Sequence, residues 1–128
     1  MPKKTIIGII QSKISSSYNS NLSTAIKNVK KAANRNAKII CLPELFLTNY
    51  FCQTESHSNF KFAEKIPGKT SKIFSDLSKE LNVVLMISMF EKKTRGFYHN
   101  TSIVINEKGK ILSTEFLIFN FLFLYILS

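Results

Sequence analysis

One carboxylate is placed where chemistry is done. Glu44 follows Pro43 directly and is flanked by Leu42, Leu45 and Phe46. Pro43 has no N–H to continue a central ladder, so the strand before it must stop there, and Glu44 falls at the carboxyl end of that strand, where α/β sheets bind their ligands. Apolar company of this kind suits a Glu to work as a general base. The same local pattern also fits a Glu that opens a short helix after Pro43, favoured by the helix dipole. Other chemistry-bearing residues are sparse. Cys41 lies within the strand and reads as a small buried hydrophobe, and Cys52 follows a loop aromatic, so neither is assigned as a nucleophile. With only His57 and His99 present, no metal-ligand set forms at credible spacing, and no metal is expected. His57 reads as a solvated loop residue and His99 as a residue satisfied within its strand pair. Asn100 reads as a structural residue satisfying backbone groups. Tyr50 and Phe51, close after Glu44, suit either a flat substrate wall or the core.

The elements that must position these residues follow from periodicity. Thr5 to Gln11 (TIIGIIQ) is a short β-branched run without a polar alternate face, the pattern of a central strand buried on both sides. After a Ser- and Asn-rich loop, Leu22, Ala25, Ile26, Val29, Ala32 and Ala33 recur at helical spacing, with Ser20 or Asn21 as the cap. Ala37 to Leu42 is a second buried strand. Pro67-Gly68 marks a turn, and a helix from Thr70 sets Ile73, Phe74, Leu77 and Leu81 on one face. Val83 to Phe90 is a third strand. Phe97 to Asn106 and Lys110 to Leu112 flank Glu107-Lys108-Gly109, a tight turn with Gly supplying the positive φ. The order β-α-β-α-β-β predicts an α/β layered domain whose first strands are parallel and which ends in an antiparallel hairpin. From Phe116 to Leu127 every residue but Asn120 is apolar or aromatic. That run is too short for an ordinary membrane-spanning helix, so a membrane role is not expected.

The 18 basic against 8 acidic residues give a net charge of +10. Sixteen of the 18 are Lys, scattered as singles and pairs, and only Arg35 and Arg95 offer the planar fork that favours phosphate or guanine. Nucleic acid is therefore not the expected partner. The N-terminal Met1-Pro2-Lys3-Lys4 runs straight into a strand with no signal-peptide hydrophobic region, and two cysteines make no disulfide framework, so the expected compartment is cytoplasmic.

Words around Glu44 carry a resemblance. Ile40 to Phe46 (ICLPELF), Asn49 to Gln53 (NYFCQ), Glu64 to Gly68 before the second helix, Leu81-Asn82-Val83-Val84, and Phe97 to Thr101 with Ile103 to Asn106 occur in an order that resembles the nitrilase (carbon-nitrogen hydrolase) superfamily, and within it the N-carbamoylputrescine amidases. The resemblance implies the N-terminal portion of an α-β-β-α sandwich, a small-molecule amide or carbamoyl amine substrate, homo-oligomers in full-length members, and a Glu-Lys-Cys site that needs no metal or organic cofactor. Glu44 matches the general base. Hydrolysis of N-carbamoylputrescine to putrescine, ammonia and carbon dioxide, a step of polyamine biosynthesis, is the implied reaction. The Lys and Cys have no match: Lys110, the last lysine, is too early, and the nucleophile of the family lies further on than this chain reaches. The expected organisation is a partial domain at 1–113 and an apolar tail at 114–128 that is not native to the fold. Alone, such a chain is expected to be inactive and poorly soluble, with sheet edges and apolar faces uncovered. The competing readings are a non-catalytic half-domain that associates with a full-length relative, and a basic module for nucleic acid or membrane surfaces.

Overall fold

The computed structural model describes residues 3–48 and 61–116. Strand β1 (Ile7–Ile9) leads through helix α1 (Tyr18–Asn34) to strand β2 (Ile39–Cys41), and helix α2 (Lys69–Leu81) leads into β3 (Val84–Thr94), β4 (Phe97–Ile105) and β5 (Ile111–Phe116). All five strands form one sheet in the order β1-β2-β3-β4-β5. Pairings among β1, β2 and β3 are parallel, and those from β3 to β5 are antiparallel. The parallel start and antiparallel finish expected from the alternation are present. The hairpin arm expected at Lys110 to Leu112 is β5, which runs on to Phe116, past 113.

Register separates the two faces of the sheet. Gly8, Ile40, Leu85 and Ile105 lie side by side, as do Ile87 with Ile103, and all but Gly8 are buried against the helices. The helices supply Ala25, Val29, Phe74 and Leu77 to that core, the faces that the 3.6-residue spacing predicts. Gly8 permits close approach: a Cβ there would stand 3.2 Å from the Cβ atoms of both Ala32 and Ala37. Phe46, from the segment after β2, packs edge-on against Phe74 with ring centroids 5.4 Å apart, a favoured aromatic geometry.

Three local expectations change. β1 is an edge strand rather than a central one, with Ile7 59% and Ile9 72% exposed. An apolar run reports that a strand can be buried, not how many neighbours it has, and among the described residues β1 has one. Helix α1 starts earlier than expected and is capped by Ser17, whose Oγ accepts from the Ser20 N–H at 3.2 Å. Asn21 is instead buried and cross-linked: its Oδ1 accepts from the Ser15 N–H (2.8 Å), and its Nδ2 donates to the Ser15 and Leu47 carbonyls (2.8 and 2.9 Å). β3 runs on past Phe90 to Thr94, because Glu91 turns inward and accepts from Thr101 Oγ1 at 2.6 Å. The turn before β5 is as expected, with Gly109 at φ 79°.

Candidate functional site

Glu44 stands in a turn immediately after β2, at the carboxyl end of the parallel strands. No helix begins there, so the helix-opening alternative does not apply. Leu45 adopts φ 47°, a left-handed conformation uncommon for a residue with a Cβ. Leu45, Phe46 and Leu47 are all buried, while Glu44 is half-buried beside them. The turn thus inserts its apolar side chains and leaves the carboxylate at the rim of the sheet.

Two strands then reach the turn, and one of them the carboxylate. Asn100 on β4 donates from Nδ2 to Glu44 Oε1. Ser88 on β3 donates from Oγ to Asn100 Oδ1 at 3.2 Å and accepts from the Leu45 N–H at 2.9 Å. Because β3 and β4 pair Ser88 with Ser102 and Phe90 with Asn100, Ser88 and Asn100 are diagonal neighbours on the same face of the sheet. The structure therefore corrects the reading of Asn100 as a backbone-satisfying residue: its amide serves a carboxylate. Ser88 carried no signal beyond being a polar residue in the apolar run VLMISMF, and its role depends on a pairing that sequence does not display.

A second polar cluster flanks the first. Glu64 bridges to the end of β3, its N–H donating to the Phe90 carbonyl and its carbonyl accepting from Lys92. Its carboxylate accepts from the Thr70 N–H at 3.1 Å and from Thr70 Oγ1, meeting the open N–H groups of the first turn of α2. The Tyr18 hydroxyl lies 2.6 Å from Thr70 Oγ1, and burial pushes its pKa above the ordinary tyrosine value. Between this cluster and the Glu44 turn is a cavity of about 20 Å³ lined by Tyr18, Leu45, Glu64, Ser88 and Phe90 among others, room for about one water molecule.

Cys41 is buried, its sulfur 3.6 Å from Met86 Sδ, and burial pushes its thiol pKa up. A raised thiol is the reverse of an activated nucleophile, in agreement with its reading as a small hydrophobe. Tyr50, Phe51, Cys52 and His57 lie outside the described residues. Among the described residues no group of three His, Cys, Asp or Glu side chains gathers as a metal site, and no helix is long and apolar enough to cross a membrane.

The carbon-nitrogen hydrolase family model matches residues 6–116. An omega-amidase of Homo sapiens is 31% identical over 107 residues, covering 84% of this chain and 37% of that protein. The N-carbamoylputrescine amidase of Solanum lycopersicum is 31% identical over 99 residues, covering 77% of this chain and 33% of its own length. The crystal structure of a carbon-nitrogen hydrolase from Helicobacter pylori G27 superposes with a TM-score of 0.84 at 26% identity, covering 90% of this chain and 40% of that one. The chain thus spans well under half the length of the relatives it matches.

Proposed function

Because this chain belongs to the carbon-nitrogen hydrolase family, we propose that its turn after β2 carries the general base of a site that hydrolyses a non-peptide C–N bond in a small amide or carbamoyl amine. The observation that supports this is the Glu44 carboxylate, held by Asn100 at the carboxyl end of three parallel strands. In the proposed reaction Glu44 takes the proton of a cysteine thiol, the thiolate adds to the carbonyl carbon, and a lysine ammonium stabilises the oxyanion; Glu44 then returns that proton to the departing nitrogen, so that the C–N bond breaks, ammonia leaves and Glu44 is a carboxylate again. Water then cleaves the acyl-enzyme, with Glu44 accepting its proton. The resemblance puts that lysine and cysteine outside the 128 residues, so this chain supplies the base and its wall. N-carbamoylputrescine is the proposed substrate, and Tyr50 and Phe51 are the proposed apolar wall for its methylene chain. An omega-amide is the competing substrate within the same chemistry, because omega-amidases match the chain to a similar degree.

The 128-residue chain alone is expected to release no ammonia from N-carbamoylputrescine or from an omega-amide. Ammonia release that disappears in Glu44→Gln would mean that the lysine and cysteine are within the chain after all. Sequencing the transcript across Gly109 to Glu115 provides the positive test. If the frame continues to a Tyr-Arg-Lys segment and a later cysteine, the protein it encodes should turn over one of the two substrates, and Glu44→Gln should lower kcat about 10²- to 10⁴-fold. Unchanged turnover would remove Glu44 from the base role.

A second reading is favoured by the exposed Ile7 and Ile9 on the edge strand β1: the chain is a half-domain that associates with a longer relative. Size-exclusion chromatography of a mixture with such a relative tests it. Separate elution of the two proteins would remove it.

A further inference from the structure

We propose that Asn100 and Ser88 are positioning residues that fix the carboxylate of Glu44, an inference that rests on reading Glu44 as the base. Four groups form a closed hydrogen-bond circuit. The Leu45 N–H donates to Ser88 Oγ, Ser88 Oγ donates to Asn100 Oδ1, and Asn100 Nδ2 donates to Glu44 Oε1. The Glu44–Leu45 backbone closes the ring.

The direction of each bond follows from donor and acceptor inventory. A serine hydroxyl has one proton. The Glu44 carboxylate only accepts, so the carboxamide presents its NH2 group to it and turns Oδ1 to Ser88, whose proton is left for that oxygen by the Leu45 amide donating to the hydroxyl. Glu44 and Ser88 thereby set the amide orientation together, which an asparagine alone does not. Had the amide been reversed, its carbonyl oxygen would face a carboxylate oxygen, which is repulsive. The Leu45 amide reaches Ser88 from a left-handed backbone at φ 47°, so the turn conformation, the serine rotamer and the asparagine orientation are set together. The circuit ties the turn after β2 to β3 and β4, both of which are anchored in the core by Ile87 and Ile103. A base held by rigid strands is in reacting geometry before substrate arrives.

The experiment uses the 128-residue chain labelled with 15N in asparagine and with 13C at the glutamate carboxyl carbon. The side-chain NH2 signal of Asn100 is identified by its loss in Asn100→Asp, which keeps the size of the residue, and the Glu44 carboxyl signal by its loss in Glu44→Gln. As pH is lowered, the Asn100 NH2 protons should shift with the same midpoint as the Glu44 carboxyl carbon. That response should vanish in Glu44→Gln and shrink in Ser88→Ala, while the Ile87 and Ile103 methyl signals stay in place. An Asn100 signal that does not follow Glu44 overturns the proposal, and a response unchanged in Ser88→Ala overturns the part given to Ser88. The readout is ground-state geometry, so it is independent of turnover. A coupled Asn100–Glu44 titration in this chain, beside undiminished turnover by Glu44→Gln in the longer protein encoded by a continuing frame, would sink the base assignment and leave the circuit standing.

Discussion

The two faces of the sheet are built differently. On the helix face, Ile40, Leu85, Ile87, Ile103 and Ile105 are fully buried beneath α1 and α2. On the opposite face, the row Ile9, Cys41, Met86 and Val104 starts at an Ile that is 72% exposed and passes to a Cys that is 6% exposed. Beyond it come Ser88, Asn100 and the Glu44 turn. One face therefore carries the hydrophobic stabilisation, and the other divides along the strands into the apolar row from Ile9 to Val104 and a polar part at Ser88 and Asn100. The Glu44 carboxylate is served from the second face, by Ser88 and Asn100.

Substitutions on the two faces should separate accordingly. Ile87→Ala, on the helix face, should cost about 2–5 kcal/mol in denaturant unfolding, through lost transfer energy and a cavity that the packed helices cannot fill. A cost under about 1 kcal/mol would mean that the helix face is not the core. Cys41 should show an intermediate, pH-dependent effect. Its thiol is neutral in the fold and its pKa is raised by burial, so the unfolded chain loses the proton first. Its contribution is therefore constant at neutral pH and declines as pH rises through the unfolded thiol value of about 9. Cys41→Ala should remove that decline, and an identical pH profile for the two proteins would contradict it. Ile9→Ser should be smallest, within about 0.5 kcal/mol, and should raise solubility by breaking an exposed apolar row. A large loss of stability at Ile9 would show that the open face is covered in solution.

Much of this division can be read from local pattern. Helical spacing gives the buried faces of α1 and α2, Pro43 gives the end of β2, and Gly109 gives the turn, because each depends on residues close in sequence. The cap of α1 is harder to place: Ser20 or Asn21 fits the pattern, but Asn21 engages the distant Leu47 carbonyl and the cap is Ser17, in a run where Ser and Asn recur at nearly every position. The edge position of β1 was illegible for a similar reason, since pairing partners are not encoded in the strand itself. At the site, Glu44 was visible from its neighbours in sequence. Asn100 and Ser88 were not, being 56 and 44 residues away and brought near only by the β3–β4 register. Glu91 left a faint signal as a charge ending an apolar strand run, and its burial follows from the Thr101 hydroxyl across the ladder.

Asn21 has a consequence for motion. It joins the first turns of α1 to the carbonyl of Leu47, three residues after Glu44. Displacing the turn at Leu47 then costs a hydrogen bond from the same carboxamide that braces Ser15 ahead of α1, so local opening of the two segments is coupled through one side chain.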